Sequence, residues 1–240
     1  AAIGMFFMFG GFIACAVYIA LYFQIIWSAS AWHSGIDMLP YIIPVVVSSI
    51  TSGILIAKTR FIKPFAIVGC CLYMIGAGLL TLLEVDSPTK NKIGLLIPMG
   101  VGCGMIMQSL IISSQVSAPK TPGGTIMSTT FITLGRGFGG ALGTILADVV
   151  YQSTFKNQFR ANLKHITDEA VLAELNKVLV ESFLTASTAL QGMSTTARAF
   201  VETQLMSAFR NVFRMTLGYG GMLIIAVAFT TNQRLPDKSK

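Results

Sequence analysis

A chain of 240 residues in which 53% are hydrophobic and only 11% charged cannot cover a water-exposed surface, because a soluble domain carries about a quarter charged residues. Its formal net charge of +7 does not mark a nucleic-acid binder either. The basic residues stand at the ends of apolar runs, as loop anchors do, and not on one polar face.

Six apolar runs follow one another, each near the roughly 20 residues that a helix needs to cross a bilayer core of about 30 Å. The expected class is an all-α membrane protein with six transmembrane helices, whose first partner is the lipid bilayer. The first span, about 3–26, holds no Asp, Glu, Lys, Arg or His; Tyr18, Tyr22 and Gln24 are its polar marks. The second, 37–57, has Pro40 in its first turn, where a missing N–H costs nothing. Lys58-Thr59-Arg60-Phe61-Ile62-Lys63-Pro64 is a tight basic turn into the third span, 65–83. The fourth, 93–116, carries Gly100, Gly102, Gly104, Gln108 and Gln115. Pro119-Lys120-Thr121-Pro122-Gly123-Gly124 turns the chain into the fifth, 125–151, and the sixth covers 209–230. The chain opens Ala1-Ala2-Ile3 with no basic n-region, so it reads as a fragment of a larger protein and not as one led by a signal peptide.

Between the fifth and sixth spans lies a polar segment, about 155–207. Thr167 suits an N-cap, Asp168 and Glu169 suit a first turn, and Val171, Leu172, Leu175, Val178, Leu179 and Phe183 recur at helical spacing. An amphipathic helix on the outer or lumenal surface is expected there, with a second helix start at Ser194 leading into the last span.

Loop charge sets orientation. Lys58, Arg60, Lys63, Lys120, Arg234, Lys238 and Lys240 fall on one side of the membrane, and Lys90 and Lys92 on the other. Seven against two places both termini in the cytoplasm.

Chemistry-bearing residues are few. Gly135, Gly139 and Gly143 form a flat stripe at every fourth position of the fifth span, which lets another helix come close. Arg136 lies roughly 16 Å into that span at 1.5 Å per residue. A cation at that depth is expensive, so it is expected to face the bundle interior, a cavity or an acidic partner, either as a structural anchor between helices or as a charge at an interface between bundles. Asp148, three turns on, is too far to pair with it. Tyr18, Tyr22, Gln24, Gln108 and Gln115 either bind polar groups of a substrate or tie helices together. Cys15, Cys70, Cys71 and Cys103 all sit in apolar runs without ligand spacing. With no catalytic triad, carboxylate pair, phosphate loop or metal set, neither an enzyme nor a cofactor is expected.

The order of motifs resembles the major facilitator superfamily, in its fungal branch of fourteen-span drug:proton antiporters and vacuolar basic amino-acid transporters. The resemblance rests on Tyr22-Phe23-Gln24, Ser34-Gly35-Ile36-Asp37-Met38-Leu39-Pro40, and Ser52 to Thr59 before the basic turn. It rests also on Gly100-Val101-Gly102-Cys103-Gly104 with Gln115, and on Arg136-Gly137-Phe138-Gly139-Gly140-Ala141-Leu142-Gly143. One departure is plain: where the family has Gly and then a basic residue after Lys58-Thr59, this chain has Arg60 and Phe61. The resemblance implies the C-terminal half of such a fold, built of two inverted three-helix repeats. The missing partner would be an N-terminal half of six or eight helices. The first and fourth spans would line a cavity, and the second and fifth would meet the other half, bringing Arg136 and the glycines to that interface. The implied activity is proton-coupled efflux of small toxic compounds by alternating access, in the plasma or vacuolar membrane. Vacuolar transport of basic amino acids and a non-transporting membrane sensor are the alternatives.

Overall fold

The computed structural model describes residues 1–27, 30–83, 89–163 and 195–230. Among them the chain forms seven α-helices: α1 (Ala2–Ile26), α2 (Ala31–Asp37), α3 (Leu39–Thr59), α4 (Lys63–Leu80), α5 (Thr89–Val116), α6 (Gly124–Leu163) and α7 (Thr195–Ala228). No strand occurs among the described residues. Five of the helices, α1, α3, α4, α5 and α7, are long and apolar enough to cross a membrane. The sixth long helix, α6, is 40 residues, but Arg136, Asp148 and its many Gly and Thr residues lower its apolarity.

Local chemistry fixes the helix ends. Pro40 and Pro64 sit in the first turns of α3 and α4, where proline is tolerated. Ser30 caps the short α2 by accepting from the His33 N–H. The α3 helix ends on Arg60, whose φ of 63° is left-handed and whose N–H returns to the Ile56 carbonyl. Glycine normally fills that position. Arg60 is the only non-glycine residue with positive φ among those described. Threonines inside α6 turn their hydroxyls back on the helix: Thr129 donates to the Thr125 carbonyl at 2.8 Å and Thr133 to that of Thr129 at 2.9 Å. Hydroxyls satisfied in this way need no outside partner in an apolar setting.

The helices run alternately up and down. Here the base is the end that carries the turns 60–62 and 117–123, and the top is the opposite end. Long-range packing follows a pattern: α1 lies on α6 as α5 lies on α3, α1 on α7 as α5 on α4, and α4 meets α7. Exchanging the first three long helices for the last three maps this set onto itself. That is the pattern expected of two three-helix repeats packed into one bundle.

Close approach at these pairs is set by glycine. A Cβ on Gly100 or Gly104 of α5 would strike the Tyr41 or Val45 carbonyl of α3, and one on Gly102 would strike the Tyr73 backbone of α4. The core between them is formed by Met5, Cys15, Tyr41, Tyr73, Met99, Cys103 and Ile106, all nearly inaccessible. Tyr41 stacks on Phe12 with ring centroids 5.5 Å apart.

The pairing of α6 with α7 has no strong counterpart in the other repeat. It arises because both helices run past the apolar stretches at the top. Phe155 and Phe159, at i and i+4, are fully buried with Val201, Leu205 and Phe209 of α7, and Phe159 meets Phe200 edge-on at 5.7 Å. Polar rungs flank this contact: Asn162 Nδ2 donates to Gln204 Oε1 at 2.9 Å, and Asn211 Nδ2 to Thr154 Oγ1 at 3.3 Å. The two ends of the polar segment thus continue α6 and begin α7. Its middle, with Thr167, Asp168, Glu169 and the stripe from Val171 to Phe183, lies outside the described residues.

Candidate functional site

Three kinds of candidate residue occupy three different places. The polar groups expected to line a cavity do not converge. Tyr18 and Tyr22 are buried among α1, α6 and α7: Tyr18 lies 5.1 Å from Tyr151 and Tyr22 lies 5.7 Å from Phe209, centroid to centroid. The Tyr18 hydroxyl donates to Asp148 Oδ1 at 3.3 Å, and Gln152 Nε2 donates to Oδ2 at 2.9 Å. Asp148 is therefore held near the top by α1 and by its own helix. Gln108 is half-buried and accepts from Ser49 Oγ at 3.4 Å, tying α5 to α3 beside Gly53. Gln24 stands near the top of α1 and Gln115, exposed, near the base of α5.

The glycine stripe faces inward, against α1. A Cβ on Gly135 would run into the Ala2 carbonyl, one on Gly139 into that of Phe6, and one on Gly143 into the Gly10 backbone. Spacing of four keeps the three on one side of α6. The stripe sets the distance between two helices of this bundle and leaves the rest of α6 free.

The basic turn has a packing role as well as a charge. Lys63 Nζ donates to the Ala228 carbonyl at 3.0 Å, in the last turn of α7, where unsatisfied carbonyls carry partial negative charge. Lys58 is exposed and Arg60 is half-buried.

Arg136 is the exception to the inward packing. It is exposed, 12 residues beyond the start of α6, hence about 18 Å along it. Its guanidinium carbon lies 4.4 Å from the centre of the Phe9 ring on α1. Such a contact is worth about 0.5–2 kcal/mol, whereas an arginine at mid-bilayer costs about 2.5–3.5 kcal/mol even on the most lenient scale. The ring therefore offsets only part of the burden. The sequence points to Arg136 through charge alone, and nothing in it points to Phe9, because an aromatic residue in an apolar run has no distinguishing periodicity. Beside Arg136, a shallow groove of about 370 Å³ runs along α6, lined by Thr130, Thr133, Leu134, Gly137, Phe138 and Ala141. Leu134 and Phe138 are among the exposed large apolar side chains, as are Ile43, Val47, Ile50 and Ile54 of α3. No cluster able to hold a metal ion occurs among the described residues.

No protein-family profile and no solved structure matches the chain. Curated proteins do. Vacuolar basic amino acid transporter 3 of Saccharomyces cerevisiae is 29% identical over 228 residues, which is 91% of this chain and 46% of that protein. Azole resistance protein 1 of the same yeast is 29% identical over 237 residues, 97% of this chain and 37% of the relative. MFS efflux transporter inpD of Emericella nidulans is 31% identical over 180 residues, 73% of this chain and 34% of the relative. The chain thus spans between about a third and a half of the length of the relatives it matches.

Proposed function

This chain is a homologue of fungal major facilitator superfamily transporters, and from that premise we propose that it forms the C-terminal bundle of a proton-coupled exporter of small toxic compounds. The observation that carries the reading is the packing pattern. Two three-helix repeats exchange partners with each other, which suits a bundle that rocks as a unit against a second one. The α3 and α6 helices keep exposed apolar flanks, as a bundle with a missing neighbour would. The base would face the cytoplasm, since Lys58, Arg60, Lys63 and Lys120 gather there.

A second reading has a specific support, because two of the yeast relatives carry the name of vacuolar basic amino acid transporters. Cells that lack or overexpress the full-length protein separate the two. Efflux predicts altered tolerance to azoles and other toxic compounds, with vacuolar arginine and lysine unchanged. Amino-acid transport predicts the reverse. Unaltered tolerance and unaltered vacuolar content would refute both.

A further inference from the structure

We propose that Arg136 is the cationic half of an intramembrane ion pair, whose carboxylate is supplied by a helix of the longer protein outside these 240 residues. The inference rests on the reading of the chain as one bundle of a larger transporter.

Three observations lead to it. First, Arg136 is an exposed guanidinium about 18 Å into its helix, with an aromatic ring beneath it and no hydrogen-bond or ion-pair partner among the described residues. Second, the polar neighbours along this flank offer no counter-charge. Thr129 and Thr133, on the same side of α6 by helical spacing, spend their hydroxyls on backbone carbonyls of their own helix. Third, no acid among the described residues is placed to pair with it. Among the described carboxylates, Asp37 ends α2 at the top, Glu202 is paired with Arg198 at 2.7 Å, and Asp148 is engaged by Tyr18 and Gln152. Asp148 stands a further 12 residues along α6, about 18 Å from Arg136. Glu84, Asp86, Asp168, Glu169, Glu174, Glu181 and Asp237 all fall between or beyond the apolar runs.

Charge complementarity then selects the occupant. A cation in hydrocarbon is paired, hydrated or bonded to backbone. A passing substrate would leave the arginine without a counter-ion in every unloaded state, which favours a resident carboxylate. The neighbouring groove along α6, shallow and floored by Gly137 and Ala141 with Leu134 and Phe138 on its walls, offers an apolar seat for another helix that brings an Asp or Glu within reach of a planar, five-donor fork.

The test is thermal melting of the purified full-length protein in detergent, as a series of double-mutant cycles. Arg136→Leu is combined in turn with Asn or Gln at each Asp and Glu inside the apolar helices outside this chain. Expected is one acid whose neutralisation lowers the melting temperature when Arg136 is present and restores it when Arg136 is Leu. If Arg136→Leu fails to fold, the same acid is identified with Arg136→Gln, and Arg136→Lys should retain part of the coupling. Independent, additive effects for every acid would overturn the proposal. Because melting needs no cargo, the outcome is separate from transport: a protein that moves nothing but shows the coupling keeps the ion pair and loses the transporter reading.

Discussion

Arg60 shows how one residue can be visible in sequence and yet be explained only by structure. Its place after Lys58-Thr59, where the resembling family has glycine, stands out in the chain, and the structure supplies the meaning: a left-handed helix end at φ 63°. A side chain there costs about 1–2 kcal/mol relative to glycine. Arg60→Gly is therefore expected to raise stability by about 1 kcal/mol, seen as a higher melting temperature. A lower one would mean that the contacts of the Arg60 side chain outweigh the strain. Arg136 was equally legible, since charge within an apolar run needs no partner to be noticed. Its seat on Phe9 was not legible, because a contact between distant helices leaves no local pattern. The burial of Tyr18 and Tyr22 was hidden for the same reason. A phenol suits a cavity wall and a core equally well until its neighbours are known.

At the scale of elements, spacing was informative about contact but silent about the partner. Gly135, Gly139 and Gly143 announce a close helix crossing, and the structure shows that α1 fills it. Gly143→Ala should push α6 from α1 and destabilise the bundle by about 1–3 kcal/mol. Gly218→Ala on α7, where a Cβ would meet nothing within 4 Å, should be neutral or stabilising by up to about 1 kcal/mol. Equal melting temperatures for the two variants would show that the glycine crossing does not hold the helices together. Composition points to a surface segment at the extended ends of α6 and α7, since polar residues dominate there. Phe155 and Phe159 are too few to signal a helix pair until Phe200 is seen against Phe159 and Phe209 against Tyr151. Phe159→Ala is expected to cost about 3–5 kcal/mol, read as early melting, while a loss below about 1 kcal/mol would mean that the extensions fold without this contact.

At the scale of the whole molecule, hydropathy and loop length give the number and order of the long helices, because lipid admits few alternatives to a helix. The pairing of those helices, α1 with α6 and α5 with α3, is a property of the repeat and reaches the sequence only through its small residues. On the proposed reading, what the bundle does depends on the rest of a longer protein, and one measurement addresses that directly. The full-length protein is reconstituted into vesicles, and flux of an azole and of arginine is followed with and without an imposed pH gradient. Expected is azole flux that rises with the gradient, collapses when a protonophore dissipates it, and falls in Arg136→Leu at equal folded protein. Azole flux that ignores the proton gradient, or no flux of either compound, would contradict a proton-driven transporter.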